Sequence, residues 1–218
     1  VKSEIPAQPS IALGAVDITV EDMVAAYGTF ANQGVYVKPQ FISRIEDKSG
    51  VVIYEPIPES HDVLNKDIAF AVIKLLEGVT ETGSGVRLRT EGGGSGDNRW
   101  TGYPYMFRNP IAGKTGTTQN QSDGWFMGMV PNLVTGVWVG CEDRSARFKS
   151  LTYGQGATAA LPVWGYFMKK CYEDETLKVS KEEFDRPSNL SIKVDCYTRP
   201  AVVKDTTAVE QETEEFEL

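Results

Sequence analysis

Lys114, Thr115 and Thr117 stand in the run Ile111-Ala112-Gly113-Lys114-Thr115-Gly116-Thr117-Thr118. An ammonium and two hydroxyls packed this closely bind an anion, either a phosphate or a carboxylate. Gly113-Lys114-Thr115 invites the phosphate reading. A phosphate loop, however, needs a glycine where this chain has Arg108, and a helix that starts at the lysine so that backbone N–H groups point at the phosphate. Here Thr117 is followed by the polar turn 118–124 and then by apolar, β-rich sequence. The phosphate reading is therefore disfavoured.

The elements around this run must present it. Two apolar, β-branched and aromatic stretches follow, 123–130 and 133–142, divided by Pro131-Asn132. So short a connection makes them antiparallel neighbours. Apolar residues occur at both parities, which predicts a sheet covered on both faces. The lysine run is then the first of three consecutive strands and lies at the edge of the sheet.

Helices are expected on either side. Thr19 caps a helix that ends at Gly34, with Asp22 completing a capping-box pattern and Met23, Ala26, Tyr27 and Phe30 on one face. A second helix runs over 65–79 from an Asn65 cap, with Ile68, Val72, Leu75, Leu76 and Val79 as its apolar face. A hairpin lies between them: Phe41, Ser43 and Ile45 lead into the turn Asp47-Lys48-Ser49-Gly50, and Val51 to Tyr54 return. A third helix over 157–170, with Pro162 in its first turns, packs across the sheet. The glycine-crowded stretch 83–102 reads as a flexible loop. The acidic stretch 210–218 reads as disordered.

Composition excludes several classes. A net charge of −8 leaves no basic face for nucleic acid. Cys141, Cys171 and Cys196 have no metal-ligand spacing, so no metal is expected. The one histidine, His61, falls in a Pro- and Glu-containing loop and reads as solvated. No apolar run is long enough to span a membrane.

Lys-Thr-Gly-Thr on the edge of an antiparallel sheet is also the third signature of the serine acyl-transferases that react with β-lactams. The flanking segments extend the likeness. They are Pro9-Ser10-Ile11-Ala12-Leu13-Gly14-Ala15-Val16, Tyr27-Gly28-Thr29-Phe30-Ala31-Asn32-Gln33-Gly34, Ser122-Asp123-Gly124-Trp125-Phe126-Met127-Gly128, Gly136-Val137-Trp138-Val139-Gly140 and Ala159-Ala160-Leu161-Pro162-Val163-Trp164. In this order they resemble the C-terminal half of the transpeptidase domain of a class A (bifunctional) penicillin-binding protein.

The resemblance implies an α+β fold, an antiparallel sheet flanked by helices with an all-helical subdomain closing the cleft, as in serine β-lactamases. It implies acyl transfer from D-Ala-D-Ala stem peptides of peptidoglycan, with penicillins trapped as acyl-enzymes. Lys114 then supplies positive potential and aids proton transfer, Thr115 and Thr117 hold the substrate carboxylate, and Gly116 clears room for substrate. The Thr117 N–H faces the nascent oxyanion. Lys114 and Thr117 are the expected catalytic residues, and Thr115, Gly116 and Thr117 the substrate-binding ones. No cofactor is implied.

One departure is large. The family uses Ser-x-x-Lys for nucleophile and base, and Ser-x-Asn for the proton relay. No serine here has lysine three residues on (Ser84 has Arg87), and none has asparagine two on (Ser95 has Asp97). The expectation is an N-terminally incomplete domain, 1–175, followed by a polar extension, 176–218. The missing upstream half would be its partner, exposed apolar surface would favour a homodimer, and the isolated chain would be inactive. The alternative is a non-catalytic wall-binding module that keeps the fold. By the same resemblance the protein belongs outside the cytoplasmic membrane, anchored by a segment not in this chain.

Overall fold

The computed structural model describes residues 3–89 and 105–194. The first long helix, α1 (Val20–Ala31), begins as the sequence predicts: Thr19 Oγ1 accepts the Asp22 N–H at 3.1 Å. The Asp22 carboxylate in turn accepts the Ser3 N–H and hydroxyl, tying the N-terminal segment to the helix. Gly34 ends the turn after α1 at φ +93°, where a Cβ would lie 2.1 Å from the Leu64 carbonyl oxygen. Only glycine serves there.

β1 (Val35–Val37) pairs antiparallel with β4 (Ser60–Asp62). The predicted hairpin lies between them, shortened to β2 (Ile45–Glu46) and β3 (Val52–Tyr54). Its turn is held by Asp47 Oδ1, which accepts from the N–H groups of Ser49 and Val51. His61 is a strand residue rather than a loop residue. It sits opposite Tyr36 with ring centroids 5.1 Å apart, exposed to solvent. Pro56 and Pro58 end β3, but the chain re-enters pairing just after them, which local composition does not reveal.

α2 (Lys66–Glu81) starts at Asn65, whose Oδ1 accepts the Ile68 N–H. The buried face is rotated from the predicted one, although Leu76 of the predicted set does pack against the core. Ala69, Phe70, Ile73, Glu77 and Thr80 are buried, while Ile68 is 42% and Leu75 74% exposed. Two polar residues belong to the inner face, Thr80 held by a partner across the packing and Glu77 by an exposed lysine of its own helix. Thr80 Oγ1 donates to the Ile111 carbonyl at 2.6 Å, and Glu77 pairs with Lys74. An apolar-only pattern is therefore rotated from the buried face.

β5 (Ala112–Thr117), β6 (Asp123–Val130) and β7 (Leu133–Gly140) form one antiparallel sheet in that order. Short helices α3 (Leu151–Gly154) and α4 (Gly156–Ala159) lead into α5 (Leu161–Glu173). The single helix expected over 157–170 is thus broken at Ala160. Pro162 lacks the N–H that a continuous helix needs and instead opens α5 in its first turn.

Both faces of the sheet are covered, as the mixed parity of β6 and β7 predicts. On one face Trp164, Leu161 and Met168 of α5 pack with Phe126, Val130, Ile111 and Leu88. Gly128 admits the Trp164 indole, since a Cβ there would lie 2.4 Å from Trp164 Cε2. On the other face Tyr27 and Phe30 of α1 and Phe70 and Ile73 of α2 pack with Ala112, Met129 and Val134. Phe184, Leu190 and Val194 join this second cluster, so the segment after α5 folds back onto the body as far as Val194. The stretch 210–218 and Cys196 lie outside the described residues, as do 90–104 of the glycine-crowded stretch. Gly83 and Gly85 are described, and they form a tight hydrogen-bonded turn rather than a loose loop.

Candidate active site

The register of β5 on β6 sets out the polar run. Lys114 is opposite Met127 and Gly116 opposite Trp125, on the face that α1 and α2 cover elsewhere. Thr115 is opposite Phe126 and Thr117 opposite Gly124, on the face of α4 and α5. The lysine and the two hydroxyls therefore leave the strand on opposite faces. Between the two faces runs the outer edge of β5, which no strand pairs with among the described residues.

The backbone of that edge follows from the ladder. The Thr118 N–H donates to the Asp123 carbonyl across to β6 at 3.1 Å. Successive N–H groups alternate in direction along a strand. The N–H and C=O groups of Thr117 and Thr115 therefore point outward, to the open edge. Lys114 Nζ lies along this edge, donating to the Thr115 carbonyl at 2.7 Å, and its side chain is exposed.

Each hydroxyl already has a protein partner. Thr117 Oγ1 accepts the Gly156 N–H at 2.9 Å, and since a backbone amide can only donate, the Thr117 proton is left to bond outward. Gly156 permits this approach: a Cβ would sit 2.3 Å from the Gly116 oxygen and 2.4 Å from the Trp125 oxygen. Thr115 Oγ1 lies 2.6 Å from Ser84 Oγ. Gly116 has a packing reason beside any role toward a ligand, because a Cβ there would come within 3.0 Å of Trp125 Cβ.

The turn that follows β5 is pinned by Asp123, buried at 8% exposure. Its carboxylate accepts from Thr118 Oγ1, Ser122 Oγ and, at 2.9 Å, the Trp138 indole N–H of β7. Three donors satisfy a carboxylate that would otherwise be costly to bury. Asp123 and Gly156 are the positioning residues that sequence reasoning passed over. The available signal was a carboxylate opening an otherwise apolar strand.

An outward-facing amide and two hydroxyls with an ammonium alongside make an edge suited to an extended ligand that carries a carboxylate and a carbonyl oxygen. Comparison with known proteins gives the family. The family described as the penicillin binding protein transpeptidase domain matches residues 6–159. This chain belongs to that family.

Penicillin-binding protein 1A of Aquifex aeolicus is 34% identical over 198 residues, covering 91% of this chain and 24% of that protein. Penicillin-binding protein 1A of Neisseria flavescens is 32% identical over 187 residues, covering 82% of this chain and 21% of its own length. The chain thus spans about a quarter or less of these penicillin-binding proteins. Among solved structures, PonA1 of Mycobacterium tuberculosis superposes with a TM-score of 0.68 at 25% identity, covering 95% of this chain and 51% of that one. Penicillin-binding protein 1A of Haemophilus influenzae gives 0.63 at 24% identity, over 84% of this chain and 30% of that one, which supports the α+β fold. PonA1 is also known with penicillin V bound.

Proposed function

We propose that this chain is the downstream part of a peptidoglycan D,D-transpeptidase domain, and that the outer edge of β5 is the wall against which the donor peptide or a β-lactam lies. One observation supports the reading above the others: Thr115 and Thr117 turn their backbone groups to a strand edge that is unpaired among the described residues, and Lys114 Nζ lies along that edge on the Thr115 carbonyl. A stem peptide ending in D-Ala-D-Ala brings a terminal carboxylate for the hydroxyls and the ammonium. It also brings a scissile carbonyl for the Thr117 N–H.

In this reading a serine outside the chain attacks that carbonyl. Negative charge gathers on the carbonyl oxygen, where a fixed amide stabilises it with no reorganisation. The C–N bond to the last D-Ala breaks, D-Ala leaves as the amine, and the acyl-enzyme passes to an acceptor amine. Lys114 keeps the potential positive at the carboxylate and at the proton relay. Thr115 and Gly116 complete the substrate-facing strand.

The serine motifs belong to the upstream half of the domain, which we take as the partner of this chain. The outer edge of β7, unpaired among the described residues, offers a backbone ladder for it. The 218-residue chain alone is inactive in this account, because it contains no Ser-x-x-Lys. The family domain is taken as 1–175, with 176–218 an extension that packs back on it as far as Val194. The parent works outside the cytoplasmic membrane from an anchor elsewhere. Among the described residues no helix is long and apolar enough to cross a membrane.

Acylation of the full-length parent by a fluorescent penicillin tests this. Replacing Lys114 by Ala lowers the second-order acylation rate by about 10²-fold or more, the scale on which a preorganised electrostatic group acts. An unchanged rate in K114A would remove Lys114, and with it the strand, from the site.

A further inference from the structure

The turn after α2 carries a hydroxyl to the substrate-facing strand. Ser84 Oγ lies 2.6 Å from Thr115 Oγ1, although the two residues belong to separate elements. The approach is built rather than incidental. Gly83 N–H donates to the Gly78 carbonyl and Gly85 N–H to the Val79 carbonyl, so the chain folds tightly over the end of α2. A Cβ at Gly83 would come within 2.9 Å of the Val79 backbone, and one at Gly85 within 3.2 Å of the Val79 oxygen. On one side of the turn, Thr80 Oγ1 fixes α2 to the Ile111 carbonyl at the head of β5. On the other, Leu88 is fully buried and Arg87 Nη1 reaches the Ala157 carbonyl.

The chemistry of two hydroxyls facing an anion fixes the direction of this bond. Either oxygen can donate while the edge is empty. A carboxylate has no proton to give, so Thr115 must donate its own proton to bind one. The contact with Ser84 then survives only if Ser84 donates to Thr115. Each donor in such a chain polarises the next.

We propose that Ser84 is a positioning residue for the substrate carboxylate. It donates to Thr115 Oγ1 and so commits the Thr115 hydroxyl to the ligand, without touching the ligand itself. The proposal deepens the transpeptidase reading and rests on it. Thr117 has the equivalent arrangement in the Gly156 amide, so both hydroxyls of the strand have their lone pairs occupied from behind.

The test uses the full-length parent, a penicillin, and the methyl ester of the same penicillin, which lacks the anionic carboxylate. Acylation rates are measured for wild type, Ser84→Ala, Ser84→Thr, Thr115→Ala and the S84A/T115A pair. Ser84→Ala should lower the ratio of the penicillin rate to the ester rate ~3–10-fold, the scale of one neutral hydrogen bond. Ser84→Thr should restore the ratio, and Ser84→Ala should lower it no further in the T115A background. A ratio unchanged in S84A overturns the proposal, as does a loss equal on both substrates or one fully additive with T115A. A wild-type parent that penicillin does not acylate overturns the transpeptidase reading itself, and this proposal falls with it.

Discussion

At the scale of single residues, the site depends on a few atoms that hold β5 in place from behind. Gly156 is the clearest. Its amide serves Thr117, and the methyl of an alanine would meet two backbone oxygens that cannot swing away, at 2.3 and 2.4 Å. Gly156→Ala should therefore displace α4 from β5 and β6 and destabilise the domain by about 1–3 kcal/mol, the usual cost of overpacking. A lower urea midpoint for the full-length variant checks this, and a midpoint equal to wild type would show that α4 is loosely seated. The strand that carries Lys114, Thr115, Gly116 and Thr117 is legible in the sequence, because the polar run is contiguous and flanked by β-rich stretches; the chemical roles of these residues belong to the proposal. Their supports are not legible. Ser84 is 31 positions from Thr115 and Gly156 is 39 from Thr117. Nothing local in the sequence announces contacts at that separation.

At the scale of elements, the three-stranded sheet reads better than the helix faces, while the β1–β4 pair is not evident in the sequence. The mixed parity of apolar residues in β6 and β7 implies two covered faces, and both clusters are present. The inner side of α2 departs from its apolar pattern because it includes Thr80, whose partner is the Ile111 carbonyl of a distant segment, and Glu77, paired with Lys74 of its own helix. The break at Ala160 leaves no trace in the sequence, because the apolar content continues where the helix stops and restarts.

The described part of the segment after α5 docks on α2 through a titratable contact. Asp67 Oδ2 accepts the Ser191 N–H at 2.8 Å and its hydroxyl, and these bonds hold the Asp67 carboxyl below the usual carboxylate range. A group whose folded pKa is depressed favours the folded contact above its unfolded value, about 3.9, and that advantage is lost as pH falls through the lower folded value. Amide exchange at Ser191 should therefore gain protection relative to an Asp67→Asn control as pH rises from below the folded value to above about 4. Equal protection in both proteins across that window would show that the carboxylate does not hold the segment.

At the scale of the whole molecule, the fold is a sheet with one polar strand edge and two packed faces, and the chain matches about a quarter or less of its penicillin-binding relatives. Much apolar surface remains outward, including Phe41 at 85%, Ile57 at 88% and Ile53 at 67% exposure. Such a surface is covered in most proteins by further chain or by a partner. In the proposed function this chain is one wall of an acyl-transfer site whose nucleophile lies in another part of the parent. Covalent labelling by a fluorescent penicillin, run in parallel on the full-length parent and on the isolated 218-residue chain, tests that claim most directly. The account predicts a labelled parent and an unlabelled isolated chain. A covalently labelled isolated chain would contradict the absence of the nucleophile, and an unlabelled parent would replace the transpeptidase by a wall-binding module that keeps the fold.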